Sequence, residues 1–456
     1  MAASGDWRDG GLIRGIGIPP PSGSYRVGVT HFMHKNLFIR LYYPTKATSG
    51  YQYVPHVYNS RYRRSALDFF GVKLAGLVSA IAGLVMDTRI PAFLNAPLLN
   101  TATPTVDAHT STDTHSHTTT DTHSHTAPVS FPALVFSHGL GGSFFSYSAV
   151  CCDIASHGFI VAALEHKDGS ACLARRRVPP PPPPLANEGE EPNYQEYLNE
   201  WIPFDQGSRS DFDLRNRQVK ERSVEVQQAL DILHIINETG ADGIVNMLGS
   251  DEGAGCGLNN ILSQFKGRIN TELAAVGGHS FGAATSVQAL DEDPRFKCGL
   301  LFDIWMLPLG PEIFSTGVTK PVIFINSRAF TEWKENFSIL KKLLRQSQDS
   351  KEEPNFGSKL HSLYTINGTV HMTQTDAPFV LPPSLYSGAH GAGLSPVTAY
   401  HINSDLSLSF LKRHLMKDID YQGAVPILDG GEGSSEHVVM ETVTEEDERK
   451  EVLSLL

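Results

Sequence analysis

Residues 273–290 read LAAVGGHSFGAATSVQAL, and this stretch decides the fold. It opens with a short apolar run, 273–277, and closes with a helical run of small and apolar residues, 283–290. Between them lies Gly278-His279-Ser280-Phe281-Gly282. A serine flanked in this way at a strand-to-helix turn is a nucleophile elbow. The tight turn strains the serine backbone and sets its hydroxyl at the C-terminal edge of a sheet. Gly278 and Gly282 leave room for neighbouring backbone. The helix that starts after Ser280 aims its positive end at any negative charge that develops there.

Outward from this turn, short apolar runs alternate with helical spacing. Residues 38–43 alternate like a strand, and 133–137, 159–164, 300–302, 322–325 and 363–366 are brief apolar runs. Residues 215–236 carry helical periodicity, with Val219, Val224, Ala229, Leu230, Leu233 and Ile236 as inner positions, and 405–415 form a last helix. Fully apolar strands separated by helices predict the α/β-hydrolase fold, a mainly parallel central sheet with helices on both faces.

The chain has 456 residues, 41% hydrophobic and 19% charged, enough to bury a sizeable core and to exclude global disorder. Its formal charge is −12, much of it in a C-terminal tail that includes Glu445-Glu446-Asp447-Glu448. No basic stripe is present, so nucleic acid is not an expected partner. The 5 cysteines show no CxxC spacing, and no histidine or carboxylate set has metal-ligand spacing. No metal and no cofactor are expected. The first residues lack an apolar h-region, and Ala2 excludes N-myristoylation, so a cytoplasmic location is expected. The chain is expected to comprise an N-terminal extension (1–24), a catalytic domain (25–420) and an acidic tail (421–456). Within the domain, 101–127 is a disordered insert in which Asp-Thr-His-Ser-His-Thr occurs at 113–118 and 121–126, and 175–193 is a Pro-rich loop. Residues 74–86 carry no charge but are too few for a span, which needs about 20. They form either a core helix or a helix resting on a lipid surface. In the second case Phe69, Phe70, Leu74, Leu77 and Ile81 are the contact residues.

A serine hydroxyl needs a histidine base, and the histidine needs a carboxylate to fix its tautomer. In α/β-hydrolases the chain order is serine, acid, histidine. Asp303 closes the apolar run 300–302 and is preferred over Asp291 and Asp293, which belong to the elbow helix or its end. His371 follows the run 363–366 and is preferred over His361, before that run, and His401, at the last helix. The loop Ser137-His138-Gly139-Leu140-Gly141-Gly142 follows an early strand, the usual place of an oxyanion donor. It nominates the backbone N–H groups of Leu140 and Phe281. His138 and His166 read as structural histidines close to the site.

These residues sit in blocks that resemble the platelet-activating factor acetylhydrolase family, comprising a plasma and an intracellular type II form. The blocks are 136–141 (FSHGLG), 155–166 (ASHGFIVAALEH), 278–284 (GHSFGAA), 302–310 (FDIWMLPLG), 322–327 (VIFINS) and 368–371 (GTVH). They thread through about residues 25–415 in the family's order. The resemblance implies Ser280 as nucleophile, Asp303 as acid, His371 as base, and Leu140 and Phe281 as oxyanion donors. It also implies calcium-independent hydrolysis of the sn-2 acetyl, short or oxidised acyl ester of phospholipids, at a lipid surface met by the segment around 67–86. The insert 101–127, the proline run and the acidic tail depart from the family. A generic carboxylesterase of short-chain esters, and a non-catalytic binder on the same fold, are the competing expectations.

Overall fold

The apolar runs assemble into one sheet of 11 strands. The computed structural model describes residues 17–72, 88–100, 129–179, 198–246, 248, 257–349, 361–381, 393–416 and 437–441. In chain order the strands are β1 (Arg26–His34), β2 (Leu37–Thr45), β3 (Tyr53–Pro55), β4 (Arg89–Leu94), β5 (Phe131–Ser137), β6 (Ile160–Glu165), β7 (Leu173–Val178), β8 (Leu198–Pro203), β9 (Ile269–His279), β10 (Phe296–Phe302), β11 (Val322–Ser327), β12 (His361–Ile366) and β13 (Val438–Met440). The order across the large sheet is β13-β12-β11-β10-β9-β5-β6-β2-β1-β4-β3, and β7 and β8 form a separate two-stranded ribbon.

From β6 to β12 every neighbouring pair is parallel. This follows from the sequence: β10, β11 and β5 carry almost no polar residue because helices cover both their faces. Alternate residues of one strand enter different cores. Ala133 and Val135 pack with the helices Phe212–Thr239 and Phe281–Glu292, whereas Leu134 and Phe136 pack with Ser148–Ser156 and Pro396–Leu415. The α/β-hydrolase architecture expected from the sequence is the one observed. Antiparallel partners close the parallel block, β2 beside β6 and β13 beside β12. The β1–β2 hairpin turns on Lys35 and Asn36, both at positive φ (49° and 62°), as a two-residue primed turn requires.

The structure corrects several boundaries. In the long helix Val224 is 50% exposed, while Val226 is buried. Five residues beyond Val219 a helix has turned about 140° past the buried stripe, and after seven it is back within about 20°. The stretch 175–193 does not begin as a loop: β7 continues to Val178 and pairs with β8. The extension 1–24 contributes to the fold, since Ile18 is buried and the Ser22 N–H donates to Asp153. The tail likewise supplies β13 to the sheet edge. Residues 346–349 end the helix Lys334–Asp349. His401 lies inside the last helix, which starts at Pro396. The insert 101–127 and the proline run 180–184 lie outside the described residues.

Candidate active site

The strands β5, β9, β10 and β12 deliver four loops to one edge, at their C-terminal ends. β5 continues into β6 on one side, and the chain then crosses to β9 on the other. A crevice at such a reversal is where doubly wound sheets hold their ligands.

Ser280 sits at the turn out of β9 with φ 57° and ψ −114°. For a non-glycine residue this is strained, at a cost on the order of 1–3 kcal/mol, and the surroundings must hold it. Its N–H donates to the Phe302 carbonyl at 2.8 Å, and its carbonyl accepts from Trp305 N–H at 3.2 Å. A Cβ at Gly278 would stand 2.4 Å from the Gly282 carbonyl, and one at Gly282 would stand 2.0 Å from the Ser137 carbonyl oxygen. The start of the elbow helix is therefore in backbone contact with the loop after β5. Phe281, as the first residue of that helix, has an N–H with no intrahelical acceptor. In the facing loop, Gly139 N–H donates to Tyr147 Oη at 2.9 Å and Gly141 N–H to the Ser170 carbonyl at 2.7 Å, which fixes the backbone on both sides of Leu140.

Asp303 follows β10, fully buried and at φ 45°. Its Oδ1 accepts from Ser327 N–H at 2.5 Å; its Oδ2 accepts from Ser327 Oγ at 2.7 Å and faces His371 Nδ1 at 2.9 Å. A carboxylate can only accept here, so His371 carries its proton on Nδ1 and presents Nε2 as a base. His371 follows β12 and its side chain is 35% exposed. Two rings pack on it: Phe330, stacked at 4.6 Å, and His279 at 4.3 Å. His279 is buried and hydrogen-bonded through Nδ1 to Tyr147 Oη at 2.9 Å, and burial together with the neighbouring His371 holds its pKa well below the ordinary histidine value.

The structure thus brings Asp303 and His371 together and sets Ser280 one strand end away. It separates the other candidates. Asp291 is exposed on the elbow helix, Asp293 is engaged by Arg295 at 2.6 Å, and His361 begins β12, its pKa lowered to about 4 by burial. His166 is buried between Ser137 Oγ (2.9 Å) and Glu225 (2.7 Å). Phe69 is half-buried. Its ring lies on Gly141 and 5.0 Å from the Phe204 ring, and Phe70 stands beside it at 5.5 Å. Leu74, Leu77 and Ile81 lie outside the described residues. Ser327, Tyr147 and Phe330 support the site without having been singled out in the sequence. Ser327 had a usable signal, as it ends the strand beside β10. Among the described residues, His279, Asp303 and His371 have potential ligand atoms within 4.8 Å of one another, but each is already engaged as described.

A sequence model described as platelet-activating factor acetylhydrolase, isoform II, matches residues 104–432. The platelet-activating factor acetylhydrolase of Canis lupus familiaris is 32% identical over 419 residues, covering 90% of this chain and 80% of its own. That of Gallus gallus is 29% identical over 435 residues, covering 94% and 90%. Among solved structures, a ferulic acid esterase from Streptomyces cinnamoneus superposes with a TM-score of 0.59 at 19% identity, over 93% of this chain and 99% of that one, a likeness of fold. With a family match over most of its length and relatives above 30% identity, the chain belongs to the platelet-activating factor acetylhydrolase family.

Proposed function

We propose that this protein is a serine-dependent carboxylic ester hydrolase that removes the sn-2 acetyl, short or oxidised acyl group of phospholipids such as platelet-activating factor, without calcium. The observation that carries the reading is the Asp303–His371 hydrogen bond, backed by Ser327, beside a strained Ser280 in a chain of this family. In this mechanism His371 Nε2 takes the Ser280 hydroxyl proton as Oγ attacks the ester carbonyl carbon. The N–H groups of Leu140 and Phe281 meet the oxyanion. The intermediate collapses as His371 returns the proton to the departing sn-2 oxygen, which releases a lysophospholipid and leaves an acyl-Ser280. Water, deprotonated by the same histidine, then frees a short carboxylate. Asp303 holds the Nδ1–H tautomer and stabilises the imidazolium.

The test is hydrolysis of phosphatidylcholines over a series of sn-2 chain lengths. Turnover concentrated on acetyl and short chains is expected. Equal or better turnover of simple soluble esters, with none on phospholipid, would instead favour a generic short-chain carboxylesterase. Because protein groups perform every step, full activity is expected in EDTA and after deletion of 101–127. An EDTA-sensitive activity restored by calcium or zinc would contradict the mechanism.

The same proposal includes peripheral attachment to a lipid surface through the segment 67–86, in the cytoplasm. Four free buried thiols, Cys151, Cys152, Cys172 and Cys298, support a reducing compartment. Phe69, at the start of the segment, touches the loop that carries Leu140, which supports the reading. A lipid-docked segment would hold the site at the interface, where a substrate need not leave the bilayer completely. Each apolar side chain that enters lipid contributes about 1–2 kcal/mol. Replacing Leu77 and Ile81 with Glu is expected to reduce vesicle binding while hydrolysis of a soluble ester stays normal. An unfolded or precipitated variant would identify those side chains as core and end the docking claim.

A further inference from the structure

Behind the loop after β5 lies a buried charged cluster that the chemistry above does not use. Arg222, on the helix Phe212–Thr239, is completely buried. Its guanidinium donates to the His138 carbonyl, lies 4.5 Å from the centre of the Phe281 ring, and faces the Asp168 carboxylate at 4.0 Å. Glu225, one turn along the helix, accepts from His166 Nδ1 at 2.7 Å and pairs with Lys167 at 3.5 Å.

The His138 ring is enclosed by this cluster, and its two nitrogens have partners of opposite kind. Nε2 lies 3.3 Å from the backbone N–H of His166, which can only donate, so Nε2 carries no proton. Nδ1 lies 2.8 Å from the Gly139 carbonyl, which can only accept, so Nδ1 carries the proton. Both contacts select one neutral tautomer. Burial and the positive charge of Arg222 keep the ring neutral by holding its pKa well below the ordinary value. Arg222 Nη2 donates to the His138 carbonyl and lies 3.4 Å from Nδ1, a longer contact than the 2.8 Å to the Gly139 carbonyl, which decides the tautomer.

The Gly139 carbonyl belongs to the peptide unit whose other end is the N–H of Leu140. A donor on that oxygen polarises the unit, strengthens the N–H as a donor and holds the peptide plane against flipping. Gly142 N–H adds a second bond to the same oxygen at 3.0 Å. We propose that the His138 side chain, held by Arg222 and the His166 N–H, is a positioning residue that presets the Leu140 N–H toward the oxyanion. It acts through the peptide and does not touch substrate. The inference rests on Leu140 being an oxyanion donor in the reaction proposed above.

The experiment compares His138→Ala and His138→Asn in the full chain. The Asn amide nitrogen stands near the place of Nδ1 and can donate to the Gly139 carbonyl. His138→Ala is expected to lose roughly 10–100-fold in kcat on p-nitrophenyl acetate, less than the ~10²–10³ of losing a whole oxyanion donor, with KM little changed. Affinity for a trifluoromethyl ketone, which forms a tetrahedral oxyanion on the serine, should fall by the same factor. His138→Asn should recover most of both losses. A residue that only stabilises the fold would lower Tm and the number of sites titrated by a fluorophosphonate, but leave kcat per titrated site and ketone affinity unchanged, and that result overturns the proposal. If His138→Ala does not fold, ¹⁵N-histidine spectra of the wild-type protein decide: an Nδ1–H, non-protonated-Nε2 ring is expected, and an Nε2–H or doubly protonated ring overturns it. A normal kcat in His138→Ala with Ser280 still essential removes this inference alone; turnover by Ser280→Ala removes the underlying reading as well.

Discussion

Ser280→Ala is expected to lose ester hydrolysis by roughly 10³-fold or more while its fold and Tm remain near wild type, because only binding and the oxyanion donors are left to act. The strained turn does not depend on the hydroxyl. It is held by the Ser280 N–H to the Phe302 carbonyl and by Trp305 N–H to the Ser280 carbonyl, both backbone bonds that alanine keeps. Circular dichroism and a thermal melt, run beside initial rates on an sn-2 acetyl phospholipid, separate lost chemistry from lost structure. A folded, pure variant that turns over at a near-normal rate would show that Ser280 is not the nucleophile.

Asp303→Asn is expected to reduce turnover by about 10⁴-fold with far less effect on stability. The surroundings decide how the amide must sit. Ser327 N–H points at Oδ1 from 2.5 Å and can only donate, so the amide oxygen keeps that place. The NH₂ group then takes the place of Oδ2, where Ser327 Oγ can turn to accept from it and His371 Nδ1 faces it at 2.9 Å. His371 must accept at Nδ1 and carry its proton on Nε2, the tautomer that cannot take a proton from serine. Ser327 is thus what makes the substitution so damaging. Asp291→Asn and Asp293→Asn serve as controls. Greater damage from either would mean that the acid has been misassigned.

How much could be read from the sequence depended on whether a residue's environment is local. The parallel strands were legible because burial on both faces leaves unbroken apolar runs such as 322–325 and 133–136. Ser280, Asp303 and His371 could be nominated from the sequence because each follows an apolar run. The strands β1, β3, β4, β7, β8 and β13 were not read. In β7 the run Arg175-Arg176-Arg177 looks like solvated surface, yet Arg175 is fully buried, its guanidinium 4.8 Å from the centre of the Phe38 ring and 5.3 Å from that of Tyr58. Arg222 hid in the same way: a charge on a long helix reads as an outer face until the carbonyl of a residue 84 positions away is seen to accept from it. Ser327 was within a quoted block and ends the strand beside β10, but its bond to Asp303 joins two strands and shows only in the fold. Phe69 read as a lipid contact because it belongs to an apolar segment. Its packing on Gly141 shows that part of that apolar surface is already used inside the protein.

The most direct measurement is covalent. The full-length protein is treated with a fluorophosphonate, digested, and the added mass is located by peptide mass spectrometry while loss of phospholipid hydrolysis is followed in parallel. One equivalent of adduct on Ser280, formed in step with the loss of activity, is expected, with a sharply reduced rate of labelling in Asp303→Asn. Complete loss of activity with the adduct on a different residue, or an active enzyme that takes up no adduct at all, would contradict Ser280 as the nucleophile.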